Sequence, residues 1–259
     1  MRSALTVLAA TVAMTGAAHA EICLGFGPQT PRDISAASGN NSQLFPLAPA
    51  SDKMNLCNIH SHTNAEHKGP GFSVFVNEGV YGGYACNETA DLTEAELAMP
   101  AGTPAYGQVK PGDTIEVHWV HTSCQVEPGP GLGSCLSDTC ANPTLRVETQ
   151  VFLVVNDDSA LDFTDFDYKG DVVNGYHQPA ALPSGTGDPV VFRGSTTGPS
   201  FSQASCSPLQ VTWSVRPQCA KVSYNSLQEW AKTNQFDEKK SHGVRQLVTA
   251  PELLAPIVQ

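Results

Sequence analysis

The sequence predicts a mainly β fold: a single domain with a large, mostly antiparallel twisted central sheet, few short helices and several disulfides. Three observations lead there. Runs rich in β-branched and aromatic residues recur along the chain, some in strict alternation, as expected of pleated, half-buried strands. Segments with helical character are few and short, and no internal repeat is visible. Eight cysteines, at 23, 57, 86, 124, 135, 140, 206 and 219, form an even set. In an oxidising compartment such a set favours structural bridges, although sequence does not choose the pairing beyond one local bridge expected among Cys124, Cys135 and Cys140.

The N-terminus carries Arg2, an apolar run over residues 4–14, and Ala18 and Ala20 placed for small-residue cleavage. It reads as a secretory signal peptide over residues 1–20, leaving a mature domain over 21–259 that is secreted or periplasmic. No later segment has the roughly eighteen consecutive apolar residues of a membrane span, so no membrane anchor is expected. A formal net charge of −11 argues against nucleic acid or an anionic surface as a partner. It suits a small neutral substrate, which needs no electrostatic steering.

Residues 21–49 hold Gly-Phe-Gly-Pro and Ser-Gly-Asn-Asn with little periodicity, and read as an irregular arm tied down through Cys23. Residues 57–69 begin as a strand and bend near Asn64. A short strand over 72–76 turns in the glycine-rich region 79–83, and an acidic start with Leu92 and Leu97 predicts a short helix over 91–99. After the turn signal Lys-Pro-Gly-Asp, residues 114–122 form a strand. The glycine-rich stretch between Cys124 and Cys135 is a flexible excursion, with no Gly-Lys-Ser/Thr pattern that would make it a phosphate loop. Residues 145–156 form a further strand, apolar enough in its second half to be buried on both faces. The acidic run from Asp157 to Asp167 fails the calcium-loop spacing and reads as a solvated loop. Strands follow over 188–194 and 209–215, then a helix over 224–234 capped by Asn225 or Ser226.

The chemistry concentrates in residues 57–69, which hold three of the eight histidines. On a strand His60 and His62 project from one face and can share a metal ion. The strand 114–122 offers a third imidazole, but His118 and His121 point to opposite faces. Glu116 selects His118, because it shares that face and can accept the ring N–H that a metal does not use. Three neutral histidines with an open fourth position form the kind of zinc site that lowers the pKa of bound water to about 7. His121 and His67 read instead as hydrogen-bonded core residues. Glu66 is a candidate base.

A rival reading takes His60, His62, Glu66 and His118 as the iron or manganese ligands of a cupin-type oxygenase or isomerase. Its second motif is missing, since Pro111-Gly112 lies too far before His118, and it leaves Thr196 and Thr197 unexplained. A secreted metal-delivery protein would fill every coordination position, but methionine-rich copper motifs are absent. No Gly-x-Ser-x-Gly supports a serine hydrolase.

Asn-Ile-His-Ser-His-Thr-Asn-Ala-Glu-His-Lys-Gly over 58–69, followed by Glu-Val-His-Trp-Val-His-Thr-Ser-Cys over 116–124, resembles the delta-class carbonic anhydrases and their bacterial relatives. The order of motifs also echoes the alpha class, through His60 and His62, Glu66-His67, Glu116 to His121, Gly194 to Pro199 and Val211-Thr-Trp213. The resemblance implies an alpha-class-like fold and the reversible hydration of carbon dioxide to bicarbonate and a proton. It implies Zn2+ held by His60, His62 and His118, with Glu116 as acceptor for His118. Thr196 or Thr197 would orient the zinc hydroxide and pass its own hydroxyl proton to Glu66, and a one-residue offset leaves the choice open with Thr196 preferred. Two spacings depart from the alpha class: His62 to Glu66 is shorter, and an insertion with Cys206 precedes Trp213. No motif carries over a proton-shuttle histidine, and His177 or an exposed acidic residue stands in that role only as a guess.

Overall fold

The computed structural model describes residues 22–244 and 246–258; the predicted signal segment lies outside them. The chain order is β1 Asn55–Thr63, β2 Val74–Asn77, β3 Gly83–Ala85, α1 Glu94–Leu97, β4 Thr114–Thr122, β5 Leu145–Val155, β6 Val172–Val173, β7 Tyr176–His177, β8 Val190–Ser195, β9 Gln210–Val215, β10 Ala220–Ser223 and α2 Tyr224–Thr233. The main sheet runs β1-β4-β5-β9-β8, with β10 also paired to β5. β2 with β3 and β6 with β7 form two small ribbons. Among the described residues, no helix is long and apolar enough to cross a membrane.

The sheet is mixed. β1 with β4, β4 with β5 and β8 with β9 pair antiparallel, as expected. Two pairings differ: β9 lies parallel to the first half of β5, and β10 parallel to its second half. Parallel neighbours need a long connection to bring the chain back to the same end, and residues 156–209 supply it.

Alternation divides the core into two layers. Ile115, Val117 and Trp119 of β4 join Phe152 and Val154 of β5 on one face, where Tyr224, Leu227, Trp230 and Ala231 of α2 cover them together with Phe163 and Phe166. On the other face Val120, Val147, Val151, Leu153, Val211, Trp213 and Val215 pack with Phe192. Trp119, Trp213 and Trp230 are each at most 2% exposed. A buried tryptophan removes roughly 150–250 Å² from water, a gross stabilisation of about 4–6 kcal/mol apiece.

One irregularity sets the aim of β1. Leu56 pairs with His121 and Asn58 with Val120, so Cys57 is an extra residue in the ladder, a β-bulge. Leu56 and Ile59, three residues apart, therefore both face the α2-covered layer. Cys57 faces the opposite one.

The helices differ from expectation in detail. The segment 91–99 contains only the four-residue α1, fixed by a reciprocal capping box between Thr93 and Glu96 and preceded by a 3₁₀ turn over Asn87–Asp91. The cap of α2 is Ser223, whose hydroxyl accepts from the Ser226 amide, rather than Asn225 or Ser226. Ser223 is also the last residue of β10, so the strand passes directly into the helix.

All eight cysteines are paired, as Cys23–Cys206, Cys57–Cys135, Cys86–Cys219 and Cys124–Cys140. Four disulfides fit an oxidising, extracytoplasmic compartment. Among the described residues the N-terminal arm contains no strand, and its buried Arg32 donates to the carbonyls of Ala36, Ser38 and Ala255, joining the arm to the C-terminal segment.

Candidate metal centre

β1 and β4 are adjacent, with His60 directly opposite His118 and His62 opposite Glu116. This register and the shared face bring three imidazoles together. Ring centroids lie 5.0 Å apart for His60 and His62, 5.2 Å for His60 and His118, and 4.5 Å for His62 and His118. One nitrogen from each falls within 4.8 Å of the others, a set that could hold a metal ion. His121 does not take part. It is buried on the other face of β4, with Nδ1 at 3.1 Å from the Trp119 carbonyl.

The rings are poised as neutral donors. Burial and the neighbouring imidazoles of His62 and His118 hold His60 well below its ordinary pKa. Burial brings His62 down to about 4 and lowers His118 as well. A neutral imidazole keeps the lone pair a metal needs. This donor chemistry fits zinc.

Behind His118 stands Glu116, fully buried, with Oε1 at 2.8 Å from His118 Nε2 and 2.7 Å from His67 Nδ1. Its Oε2 accepts from the His67 backbone amide at 3.1 Å. Burial alone would raise Glu116, but His67 and His118 outweigh it and hold the carboxyl below the ordinary range. His118 thus turns Nε2 to Glu116, which leaves Nδ1 for the cluster. His67 packs edge-on against Trp213 at 4.7 Å and braces Glu116 from behind.

Glu66 is also buried, with Oε2 3.3 Å from His62 Nδ1. Burial pushes its pKa up to about 7, against the pull of His118. Its Oε1 lies 3.6 Å from His118 Nε2, the nitrogen already turned to Glu116. Glu66 groups with Glu116 and His118 rather than with the three histidines, unlike the fourth ligand of a cupin-type site.

The loop after β8 separates the two threonines. Thr197 Oγ1 donates to Glu66 Oε1 at 3.4 Å. Thr196, the residue preferred from sequence, has its hydroxyl 2.5 Å from Ser207 Oγ instead. Both line a cavity of about 80 Å³ with the three histidines. Its remaining wall is apolar and includes Val120, Leu132, Leu145, Val147, Val211 and Trp213. Since a water occupies about 30 Å³ of liquid, the space admits a molecule of a few heavy atoms.

Two neighbours were not singled out in the sequence. Asn58 Oδ1 lies 2.7 Å from His60 Nδ1, and its position two residues before His60 is the same clue that selected Glu116 for His118. His242 sits with its ring centroid 6.4 Å from His60 and its Nε2 2.8 Å from Glu238 Oε2. It comes from the C-terminal segment, which no local pattern ties to the site. His177 does not line the cavity; it pairs with the Tyr168 hydroxyl at 2.6 Å.

Neither the curated proteins nor the solved structures contain a match to the chain. A family model described as Delta carbonic anhydrase matches residues 51–226, a span that includes His60, His62, Glu66, Glu116, His118, Thr196 and Thr197. With more than half of its length matched, and with a three-histidine centre inside that span, the chain belongs to the Delta carbonic anhydrase family.

Proposed function

We infer that the protein catalyses the reversible hydration of carbon dioxide to bicarbonate and a proton, with Zn2+ held by His60, His62 and His118. The observation that carries this reading is the convergence of three neutral imidazoles on a small cavity with an apolar wall and a Thr197–Glu66 pair at its edge. When bound, zinc supplies a Lewis acid that lowers the pKa of coordinated water to about 7.

The protein's own groups divide the remaining work. Glu116 Oε1 holds the His118 ring through its Nε2 hydrogen, and Asn58 Oδ1 holds His60 through Nδ1. Thr197 Oγ1 gives its hydrogen to Glu66 and so presents only lone pairs to the cavity. It accepts a hydrogen bond from an oxygen nucleophile and cannot donate one, which orients that oxygen. Thr196, turned to Ser207, supports the loop rather than the reacting atoms. Val120, Val147, Val211 and Trp213 receive the apolar substrate and exclude water from its side.

The product proton leaves by His242. Its side chain is 45% exposed, and the hydrogen bond to Glu238 raises its pKa above the ordinary histidine value. It lines a neighbouring pocket that shares His60 and Leu132 with the cavity, and from there it takes a proton and hands it to buffer.

Metal analysis combined with a stopped-flow pH-indicator assay on the purified mature chain tests the reading. One equivalent of zinc, lost in His118→Ala together with carbon dioxide hydration, is expected. A zinc-loaded chain with no hydration above buffer would refute it.

A further inference from the structure

We propose that Leu132 is a specificity-determining residue: its side chain is the partition that keeps the histidine cavity apart from a larger pocket beside it, and so limits the site to substrates of a few heavy atoms. The substrate part of this proposal rests on the reading of the cavity as a hydration centre. The partition itself does not.

The cavity of about 80 Å³ draws its apolar wall from two sources. Val120 lies on β4, Leu145 and Val147 on β5, and Val211 and Trp213 on β9, all within the hydrogen-bonded main sheet. Leu132 comes instead from the loop enclosed by the Cys124–Cys140 bridge. A second pocket, of about 350 Å³, adjoins the first and is lined by Asn58, Phe236, Glu238 and His242 among others. His60 and Leu132 line both. His60 is fixed on β1, so the barrier that a side-chain change can remove is Leu132, which is 43% exposed.

The loop holds Leu132 in that place. It opens a 3₁₀ turn over Leu132–Cys135, entered through Gly131 at φ 65°, a conformation that favours glycine. Before the turn Gly129 is fixed, its amide donating to the Cys57 carbonyl at 3.0 Å and its carbonyl accepting from Asn58 Nδ2 at 2.9 Å. After it Cys135 is fixed by its bridge to Cys57 and by Thr122 Oγ1, which donates to the Cys135 carbonyl at 2.9 Å. Ser134 Oγ closes the arch by donating to the Pro130 carbonyl at 2.9 Å. Both feet of the arch therefore stand on Cys57 of β1.

Truncating Leu132 at Cβ joins the two spaces, whereas methionine, of similar volume, keeps them apart. Benzene fills an apolar cavity of about 150 Å³, nearly twice this one. In the metal-free chain, saturating benzene should leave the ¹³C methyl signals of Val147 and Val211 unmoved in the wild type and in Leu132→Met, and should shift them in Leu132→Ala. In the zinc-loaded chain, the ratio of kcat/KM for isobutyraldehyde to that for carbon dioxide should rise at least about 10-fold in Leu132→Ala, the scale on which a misfitting methylene discriminates. Hydration of the aldehyde adds water across its C=O: an oxygen bonds to carbon, the carbonyl oxygen takes the proton, and nothing leaves. Benzene shifts at Val147 and Val211 in the wild type overturn the partition without any variant, as does a Leu132→Ala chain that still excludes benzene. An unchanged ratio in Leu132→Ala overturns the substrate limit. If benzene behaves as expected but the zinc-loaded wild type hydrates no carbon dioxide, the functional reading falls while the partition stands.

Discussion

Glu116 is the group whose removal should separate support of the site from support of the fold. It is fully buried and accepts three hydrogen bonds, from His118 Nε2, His67 Nδ1 and the His67 backbone amide. Glu116→Ala strands all three donors in a dry environment. At about 1–3 kcal/mol for each, partly offset by relief from burying a carboxylate, the net loss should be about 4 kcal/mol. Glu116→Gln should cost less, about 2 kcal/mol. Its oxygen can still serve both rings, and only the new NH₂ group opposes the His67 amide. Zinc affinity should fall 10- to 100-fold in both variants, because His118 loses its charged acceptor. Urea denaturation of the metal-free chains and chelator competition for zinc measure the two effects separately. Variants that unfold at the wild-type midpoint and bind zinc as tightly would refute the assignment of Glu116.

Three further outcomes are expected. In the metal-free protein, Glu66 holds its proton up to about pH 7 instead of the ordinary 4.5. Between those values the folded chain keeps a proton that the unfolded chain has released, so this group's contribution falls by roughly 3 kcal/mol as pH rises and is constant above. Glu66→Gln should flatten that slope in denaturation curves recorded from pH 4 to 8. Thr197→Val should lower kcat/KM for carbon dioxide hydration about 100-fold with zinc content unchanged, whereas Thr196→Val should change it by less than about fivefold; equal effects in stopped-flow assays would contradict their different partners. His121→Ala should destabilise the chain by about 3 kcal/mol through the buried space it leaves and the lost bond to the Trp119 carbonyl, while zinc binding is retained.

What could be read from sequence followed from periods and local spacing. The two-residue repeat puts His60 with His62, and Glu116 with His118, without knowledge of the tertiary fold. Asn64, with φ 59°, makes the bend expected after β1. Strand direction was not legible, because whether β9 returns parallel or antiparallel to β5 depends on the path of residues 156–209. The Ser223 cap was missed because a strand that runs straight into a helix offers no loop to mark the boundary. The two threonines look alike in sequence, and only the course of the loop after β8 gives Ser207 to one and Glu66 to the other. The Cys57 bulge lies in a register that appears only once β1 meets β4.

The bridges overlap along the chain in a way that bears on survival among proteases. Cys23–Cys206 spans most of the chain, and Cys86–Cys219 overlaps it and extends further. A single backbone cut anywhere between residues 23 and 219 therefore leaves the pieces joined through sulfur. The stretch between Cys124 and Cys135 is enclosed twice more, by Cys57–Cys135 and by Cys124–Cys140. A clipped molecule would migrate as an intact chain until reductant is added, with Cys57–Cys135 still joining β1 to the segment that follows β4.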